Sequence, residues 1–462
     1  MNAAAVFARI AADLPELAGP APTFIGADPI LPTRYRIGAA VAAAIGAAAQ
    51  GAAHLWTQRG GRDQSVTVSV RRAAASLAGF RHLRLEGRLF PAQQGDVPTM
   101  AIYQTRDDRW IHLHGALPHF RQGTLNLLGC TDDRAAVAAA VAKWDSSALE
   151  DALAAAGQCG AVLRTADEWA IHPQGRAVAR APLIELVKVG DAPPTPMPLS
   201  ERPLAGIRVL DLTRILAGPV CGRTLAEHGA EVLNISSPHL PHVPIFLPET
   251  SHGKKTAHLH LPGAEARDTL WRLIGETDVF SQGYRAGGLA RLGFGPDEVA
   301  KRRPGMIYVS INAYGHDGPW RDRPGWEQLA QSATGVALVH SNRTTHDAEV
   351  PAVVPAAPTD YMTGYLASVG VMIALHRRAT IGGSWHVRTS LSRTAMWFRD
   401  LGLVDESVTR TQPSRDEVES WSFTRDSTWG RLTAFAPVAE MSRTPPRWDL
   451  PSAEPGSHQP SW

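Results

Sequence analysis

From Gly206 onward the chain alternates between short unbroken apolar runs and longer stretches whose apolar residues recur three and four positions apart. GIRVLDL (206–212) is short and rich in β-branched residues, the mark of a buried strand. Gly218-Pro219 follows, and proline suits the first turn of a helix because its missing N–H would find no partner there. The predicted helix runs through CGRTLAEHG and stops at Gly229, where glycine accepts a left-handed cap. EVLNI reads as the next strand. HLHL, the helical AEARDTLWRLIGET, the strand DVFSQ, a glycine-rich turn and MIYVSIN (306–312) continue the alternation. Strands and helices alternating at this pitch require right-handed crossovers and predict an α/β fold built on a doubly wound, parallel, Rossmann-like sheet.

The pattern before residue 190 is different. An alanine-rich helix leads to QSVTVSV, a strand, and TMAIYQTRDDRWIHLHG reads as a β-hairpin with the polar TRDD as its turn. RAAVAAAVAKW and SALEDALAAAG are helical, so this half predicts a smaller α+β domain. GDAPPTPMPLSERP (190–203) is dense in proline and polar residues and reads as a linker. From about Pro413 no period is sustained, which predicts an extended arm over the surface. The resulting division is 1–190, a linker at 191–203, a main unit at 204–400 and an arm at 401–462.

An internal echo joins the two halves. Pro32-Thr33-Arg34-Tyr35-Arg36-Ile37-Gly38 matches Pro358-Thr359-Asp360-Tyr361-Met362-Thr363-Gly364 at four of seven positions. Each copy leads into an apolar helix, then a Gly-Gly pair (Gly60-Gly61 and Gly382-Gly383), then a strand. The copies differ where chemistry would sit. A carboxylate at Asp360 can act as nucleophile or base, whereas the guanidinium of Arg34 stays protonated.

Composition narrows the classes. At 462 residues the chain exceeds one compact core. Forty-six basic against 44 acidic residues, without a basic block, argue against a nucleic-acid binder. A hydrophobic share of 44% and a charged share of 19% suit a soluble globular protein. Cys130, Cys159 and Cys221 are far apart and form neither a disulfide framework nor a zinc spacing, and no histidine pair has metal-site spacing. The first residues lack the basic start of a signal peptide. The run from Ile37 to Ala53 is mostly alanine and glycine, too weakly apolar for lipid, so it predicts a buried helix and not a membrane span. The expectation is a cytoplasmic protein.

Four sites carry candidate chemistry. Asp360 stands before an apolar helical run, where a carboxylate serves either as a plain helix cap or as a nucleophile kept ionised by the helix dipole. Lys254 and Lys255 in SHGKKT read as solvated lysines or as phosphate contacts. QGYRAGGLARLGFG (282–295) sets Tyr284, Arg285 and Arg291 in a flexible turn after a strand, where ligands bind in this architecture. His316-Asp317 sits in a glycine-rich frame and reads as a tight turn. G-x-G-x-x-G after the first strand, a P-loop and a G-x-S-x-G elbow are all missing from the sequence.

Taken together, PLAGIRVLDLTRILAGPVCGRTLAEHGAEVLNI, SHGKKT, GYRAGGLARLGFG, YVSINAYGHDGPW and PTDYMTGYLASVGVMIALHRR resemble the family III CoA-transferases, over Pro203 to about Phe398. Residues from about Pro32 to Lys188 resemble the same family's linking helix and small domain. The halves therefore stand in exchanged order, with a degenerate linking helix in the first. The resemblance implies the family III CoA-transferase fold and a transfer of CoA from an acyl-CoA to a carboxylate acceptor through covalent aspartyl intermediates on Asp360. It implies that Arg291 and Leu292 hold the adenosine end of CoA, that Lys254 lies near its phosphates, and that Tyr284 and Gly218 line the same path. Acyl-CoA is then substrate, with no tightly bound cofactor and no metal. A homodimer is implied as well, its interlocking left open by the exchanged order. A racemase or epimerase of acyl-CoA, or a CoA-binding homologue without catalysis, are the alternatives. Gly325-Trp326-Glu327 stands where the racemases carry Gly-His-Asp, and an indole cannot shuttle a proton. HLPHVPIFLPE replaces the family's Gly-Asp-x-x-Arg segment, and the chain has no glycine run like the mobile lid of formyl-CoA transferase.

Overall fold

A computed structural model of the chain describes residues 1–91, 96–285, 287–342, 350–405 and 412–462. The element that positions the site is a seven-stranded sheet. Its strands are β1 (Glu185–Gly190), β2 (Arg208–Leu212), β3 (Glu231–Ser236), β4 (Lys254–His258), β5 (Val279–Gln282), β6 (Ile307–Asn312) and β7 (Ser384–Ser390), in the spatial order β4-β3-β2-β5-β6-β7-β1. All neighbours are parallel except β7 and β1. The chain departs from β2 first to one side and later to the other, so the strand order reverses there and a crevice opens at the carboxyl ends. β6 is a nearly continuous buried run, as a strand covered on both faces must be.

Five helices matter for the site: α1 (Ile37–Gln58), α2 (Pro118–Leu128), α3 (Ala217–Glu227), α4 (Glu327–Ala333) and α5 (Pro358–Thr380). α1 is long and apolar enough to cross a membrane by length and composition, yet 94% of its most apolar window is buried inside the molecule. It packs in parallel against α5, with His54 Nε2 lying 3.0 Å from His376 Nδ1. α5 also crosses α3 closely. A Cβ at Gly364 would lie 2.5 Å from the Ala217 carbonyl, so only glycine permits that approach.

Both copies of the echo fold as helix, strand, helix: α1, Val66–Ser69 and Val70–Ser76 in the first, α5, β7 and Leu391–Arg399 in the second. They differ at the start. α5 begins at Pro358, but α1 begins only at Ile37, leaving Arg34 in a bend before the helix. Tyr35 bridges to Leu403 and donates to the Val336 carbonyl, which draws the segment away from the helix axis.

The α+β unit of the first half has strands Ile102–Gln104, Trp110–Leu113 and Gly160–Val162 around its own apolar cluster of Tyr103, Ile111, Leu125, Val137, Leu149 and Leu153. Two boundaries differ from the expected ones. β1 lies before residue 190 yet closes the edge of the main sheet, and one core runs from Ala3 to Trp448 across both halves. The segment after residue 401 is also more than an extended arm. Its residues 406–411 lie outside those described. Ser414 caps Arg415–Ser420 in a reciprocal box with Glu417. Ser422–Ser427 and Gly430–Phe435 then form a hairpin joined to Arg84–Leu85 and Arg88–Leu89 in a four-stranded sheet. The hairpin buries Leu432 and Ala434 on alternate positions. Only the last twenty residues or so run extended, with Ser452 and Ala453 buried beneath.

Candidate active site

A cleft of about 440 Å³ opens at the carboxyl ends of β2, β5, β6 and β7, where the sheet order reverses. The small unit closes its other side through Leu117 and Phe120 at the start of α2. Gly218, Tyr284, Arg291 and Asp360 line this one cleft.

Asp360 is the third residue of α5. It does not cap the helix: Ala357 holds the cap position without a side-chain bond, and Ala356 before it has φ of +75°. The Asp360 carboxyl is half-buried on the cleft wall, and among the described residues it has no hydrogen-bond or ion-pair partner. Burial and then the neighbouring Glu327 carboxylate push its pKa well above the usual range, against the pull of the helix N-terminus.

Glu327 opens α4 and faces the same space. Its Oε1 accepts from Gln331 Nε2 at 2.6 Å and from the Thr359 N–H at 3.3 Å, while its buried Oε2 has no partner. Burial raises its pKa to about 7 despite those donors. Two carboxyls held this close share protons, so they titrate as a pair. Gln331 is itself fixed, accepting from the Val354 N–H at 2.8 Å. Behind Asp360, the next residue extends the framework: Tyr361 donates to Glu249 Oε1 at 3.0 Å, and Arg223 donates to the same oxygen at 2.5 Å.

The turn after β2 is braced from below. Asp211 Oδ1 accepts from the Thr213 N–H and hydroxyl, and its Oδ2 accepts from Lys254 Nζ at 2.9 Å. Lys254 Nζ also donates to the Pro219 carbonyl at 2.8 Å. A Cβ at Gly218 would fall 2.3 Å from Thr213 Cβ, so this turn admits no side chain there. Ile215, with φ of +70°, forms the ridge between the cleft and a neighbouring hollow of about 490 Å³.

Two residues expected along the CoA path do not line this cleft. Lys254 is 2% exposed and its ammonium is committed to Asp211 and Pro219, facing the neighbouring hollow and not the cleft. It is the first residue of β4, the edge strand of the sheet, and not a loop residue. Leu292 is 39% exposed on a short 3-10 turn and does not line the cleft, unlike Arg291 beside it. His316 faces Ser310, which also meets His386, and burial depresses both imidazoles to about 3. The Asn312–Gly315 contacts close the turn that its glycine frame predicts. Among the described residues no group of three or more His, Cys, Asp or Glu could hold a metal.

Arg214 and Arg285 also line the cleft, with Glu327 and Trp326. Arg214 donates to the Pro241 carbonyl, and Arg285 lies 5.4 Å from the Phe120 ring centre while donating to Gly157 O. Glu327 is the residue sequence reasoning missed; its only sequence signal is its place in Gly325-Trp326-Glu327.

The sequence signature of CoA-transferase family III matches residues 204–453. An acyl-CoA transferase of Gibberella moniliformis is 35% identical over 347 residues, 70% of this chain and 60% of that protein. The acetyl-coenzyme A transferase nodX of Hypoxylon pulicicidum is 32% identical over 332 residues, 66% of this chain and 55% of that one. The chain thus spans little more than half the length of these curated relatives. Among solved structures, that of a hypothetical protein (Rv3272) from Mycobacterium tuberculosis is 29% identical, covers 46% of this chain and 58% of its own, and has a TM-score of 0.41.

Proposed function

The chain belongs to CoA-transferase family III, and we propose that it transfers coenzyme A from an acyl-CoA thioester to a carboxylate acceptor, with Asp360 as nucleophile. One observation carries this reading: Asp360 sits at the amino end of a long helix, open to a cleft, with no cap or ion pair to occupy it.

In the proposed sequence, an Asp360 oxygen attacks the thioester carbonyl. The C–S bond breaks, and CoA leaves as thiolate from a mixed aspartyl anhydride. The thiolate then attacks the aspartyl carbonyl, releasing the donor acid as carboxylate and leaving an aspartyl-CoA thioester. The acceptor carboxylate attacks that aspartyl thioester and expels CoA thiolate, giving a second mixed anhydride; the thiolate then attacks the acceptor's acyl carbon, forming the product thioester and releasing the Asp360 carboxylate. A carboxylate is a weak nucleophile in water, so the rate must come from positioning and from removal of water around it. Burial raises both carboxyls and the Glu327 charge raises Asp360 further, so the pair shares its protons and the ionised, attacking form of Asp360 grows as pH rises. Arg285, Arg291 and Arg214 offer cations along the cleft for the CoA phosphates, and Tyr284 a flat surface beside them.

CoA enters this scheme only as substrate, with no resident cofactor. A cytoplasmic setting belongs to the same proposal. The lining residues named above all come from one chain, and a homodimer belongs to the same proposal.

The test is to incubate the protein with acyl-CoA thioesters, trap with hydroxylamine and locate the adduct by mass spectrometry. The expected result is a hydroxamate at Asp360 that Asp360→Asn lacks, with turnover down by at least ~10³-fold. An adduct elsewhere, or undiminished turnover in Asp360→Asn, overturns the assignment.

A further inference from the structure

Resting on the transfer reading, we propose that Gln331 is a positioning residue for Asp360: its one amide fixes both the Glu327 carboxyl beside the nucleophile and the chain that enters α5. Gln331 lies on α4 one turn after Glu327, on the same face, and is fully buried. Its two partners decide which way the amide points. The Val354 N–H can only donate, so the amide oxygen faces it, at 2.8 Å. The NH2 group is then left for Glu327 Oε1, at 2.6 Å. Turning the amide over would set donor against donor at Val354, so the side chain has one arrangement. Val354 comes shortly before α5, and Ala356 after it holds a φ of +75°, which a residue with a side chain keeps only where its surroundings fix it. The Gln331 bond holds the chain before Ala356, and the Ala357 N–H, bonded to the Leu77 carbonyl at 3.3 Å, holds it after. Pro358 then opens α5, and Asp360 follows in the same turn.

On its other side the amide gives Glu327 a short hydrogen bond, where the Thr359 N–H gives a long one of 3.3 Å. A donor to a carboxylate favours its charged form. Burial pushes Glu327 up to about 7, and Gln331 is the first of the donors that oppose it. Glu327 in turn raises Asp360, which burial has already raised. Gln331 therefore bears on the pH at which Asp360 becomes a nucleophile, by way of Glu327. The other titratable groups packed around α4 are neutral or engaged elsewhere. His112 and His114 of the small unit are held neutral by burial, at about 4 and about 3, and His112 Nδ1 meets Ser332 Oγ at 3.0 Å. Arg164 pairs with Glu150, and Arg399 donates to the Thr334 carbonyl at 2.6 Å. Arg214, Arg285 and Arg291 line the cleft with the two carboxyls, and among the described residues none of them is a cause of either carboxyl's shift.

The experiment measures single-turnover acylation of Asp360 in the full chain against pH, trapped with hydroxylamine, using whichever of acetyl-CoA, isovaleryl-CoA and succinyl-CoA gives the strongest adduct. Wild type, Gln331→Met, Glu327→Gln and the double variant are compared, methionine keeping the length of the side chain without donor or acceptor. Gln331→Met is expected to move the ascending limb at least ~0.5 pH unit lower, because Glu327 without its donor ionises later and opposes Asp360 less. In the Glu327→Gln background the same change should move the limb no further, since no carboxyl is left for it to act through. A limb that stays in place in Gln331→Met while the plateau or the melting temperature falls shows a merely structural residue and overturns the role, as does a shift that persists undiminished in the double variant. Should the methionine variant not fold, the wild type still decides: the 15N-labelled side-chain amide of Gln331 should titrate with a midpoint near that of Glu327, about 7, and cease to do so in Glu327→Gln. An amide indifferent to pH overturns the role. Each of these results leaves the transfer reading standing, whereas no adduct from any of the three thioesters overturns both.

Discussion

Replacing Glu327 with glutamine separates the carboxyl pair from its surroundings. Burial lifts the Glu327 pKa from the ordinary 4.5 to about 7. The native state therefore holds this proton more tightly than the unfolded chain does. Its favourable contribution is complete below about pH 4.5 and is lost as pH rises through 7. Two and a half pH units at ~1.4 kcal/mol each make the loss about 3 kcal/mol. Glutamine imitates the protonated carboxyl and can still accept from Gln331 and Thr359, though without charge, so the net gain above pH 7 should be about 1–3 kcal/mol. For a chain of this size that corresponds to a melting temperature ~1–3 °C higher. Calorimetric scans of wild type and Glu327→Gln from pH 4.5 to 8.5 should diverge only on the alkaline side. Kinetics gives a second readout. Glu327 is one cause of the raised Asp360 pKa, so its neutral replacement should move the ascending limb of the acylation-against-pH profile to lower pH. A melting difference of equal size at every pH, or a variant less stable at pH 8, refutes the placement of an uncompensated carboxyl here.

Lys254→Met tests whether that lysine belongs to the framework or to the ligand: it strands Asp211 with a buried charge and should lower stability by about 3–5 kcal/mol, seen as an earlier denaturant midpoint. A normal midpoint with a raised KM for acyl-CoA would instead make it a phosphate contact. Gly364→Ala forces a methyl to within 2.5 Å of the Ala217 carbonyl and 2.7 Å of Val220 Cβ. It should cost about 1–3 kcal/mol and reduce kcat, because α5 carries Asp360 as it is pushed from α3; unchanged melting would show the helices free to separate.

Much of the architecture was readable because it rests on local pattern. The strands at 206–212, 231–235, 278–282 and 306–312, the helix ending before Gly229 and the hairpin around Thr105–Arg109 each carry their own signal within a dozen residues. What the pattern missed depends on partners far away in sequence. β1 looks like the end of one unit, and only its pairing with β7, some 200 residues on, makes it part of the other sheet. Lys254 reads as a surface lysine because nothing nearby in the chain announces Asp211 beneath it. The hairpin after Trp421 is hard to read because Ser422–Ser427 has no buried position, and Gly430–Phe435 pairs on its other edge with Arg84–Leu85, far away in sequence. Asp360 was legible from its helix and its echo, while Glu327 needed the fold to bring α4 against the first turn of α5.

The echo accounts for why only one of the two copies offers the proposed nucleophile. Each copy of the long helix receives a carboxylate at its amino end, but by different means. At α1 the Asp28 carboxylate bonds the Gly38 and Ala39 N–H groups at 2.9 and 2.7 Å, filling the end of the helix, and the turn that would carry Arg34 is unwound. At α5 the first turn is intact, Glu327 takes only the Thr359 N–H, and Asp360 projects from the same turn into open space. A helix end already satisfied from within has nothing to give a thioester, whereas one with an unpartnered carboxyl beside it has a group to react and a dipole to steady it. The first copy has kept the packing face against α5 and, through the small unit that follows it, supplies Leu117 and Phe120 to the opposite wall of the cleft. The two copies thus divide the work: one carries the proposed nucleophile, the other leads into the opposite wall of its cleft.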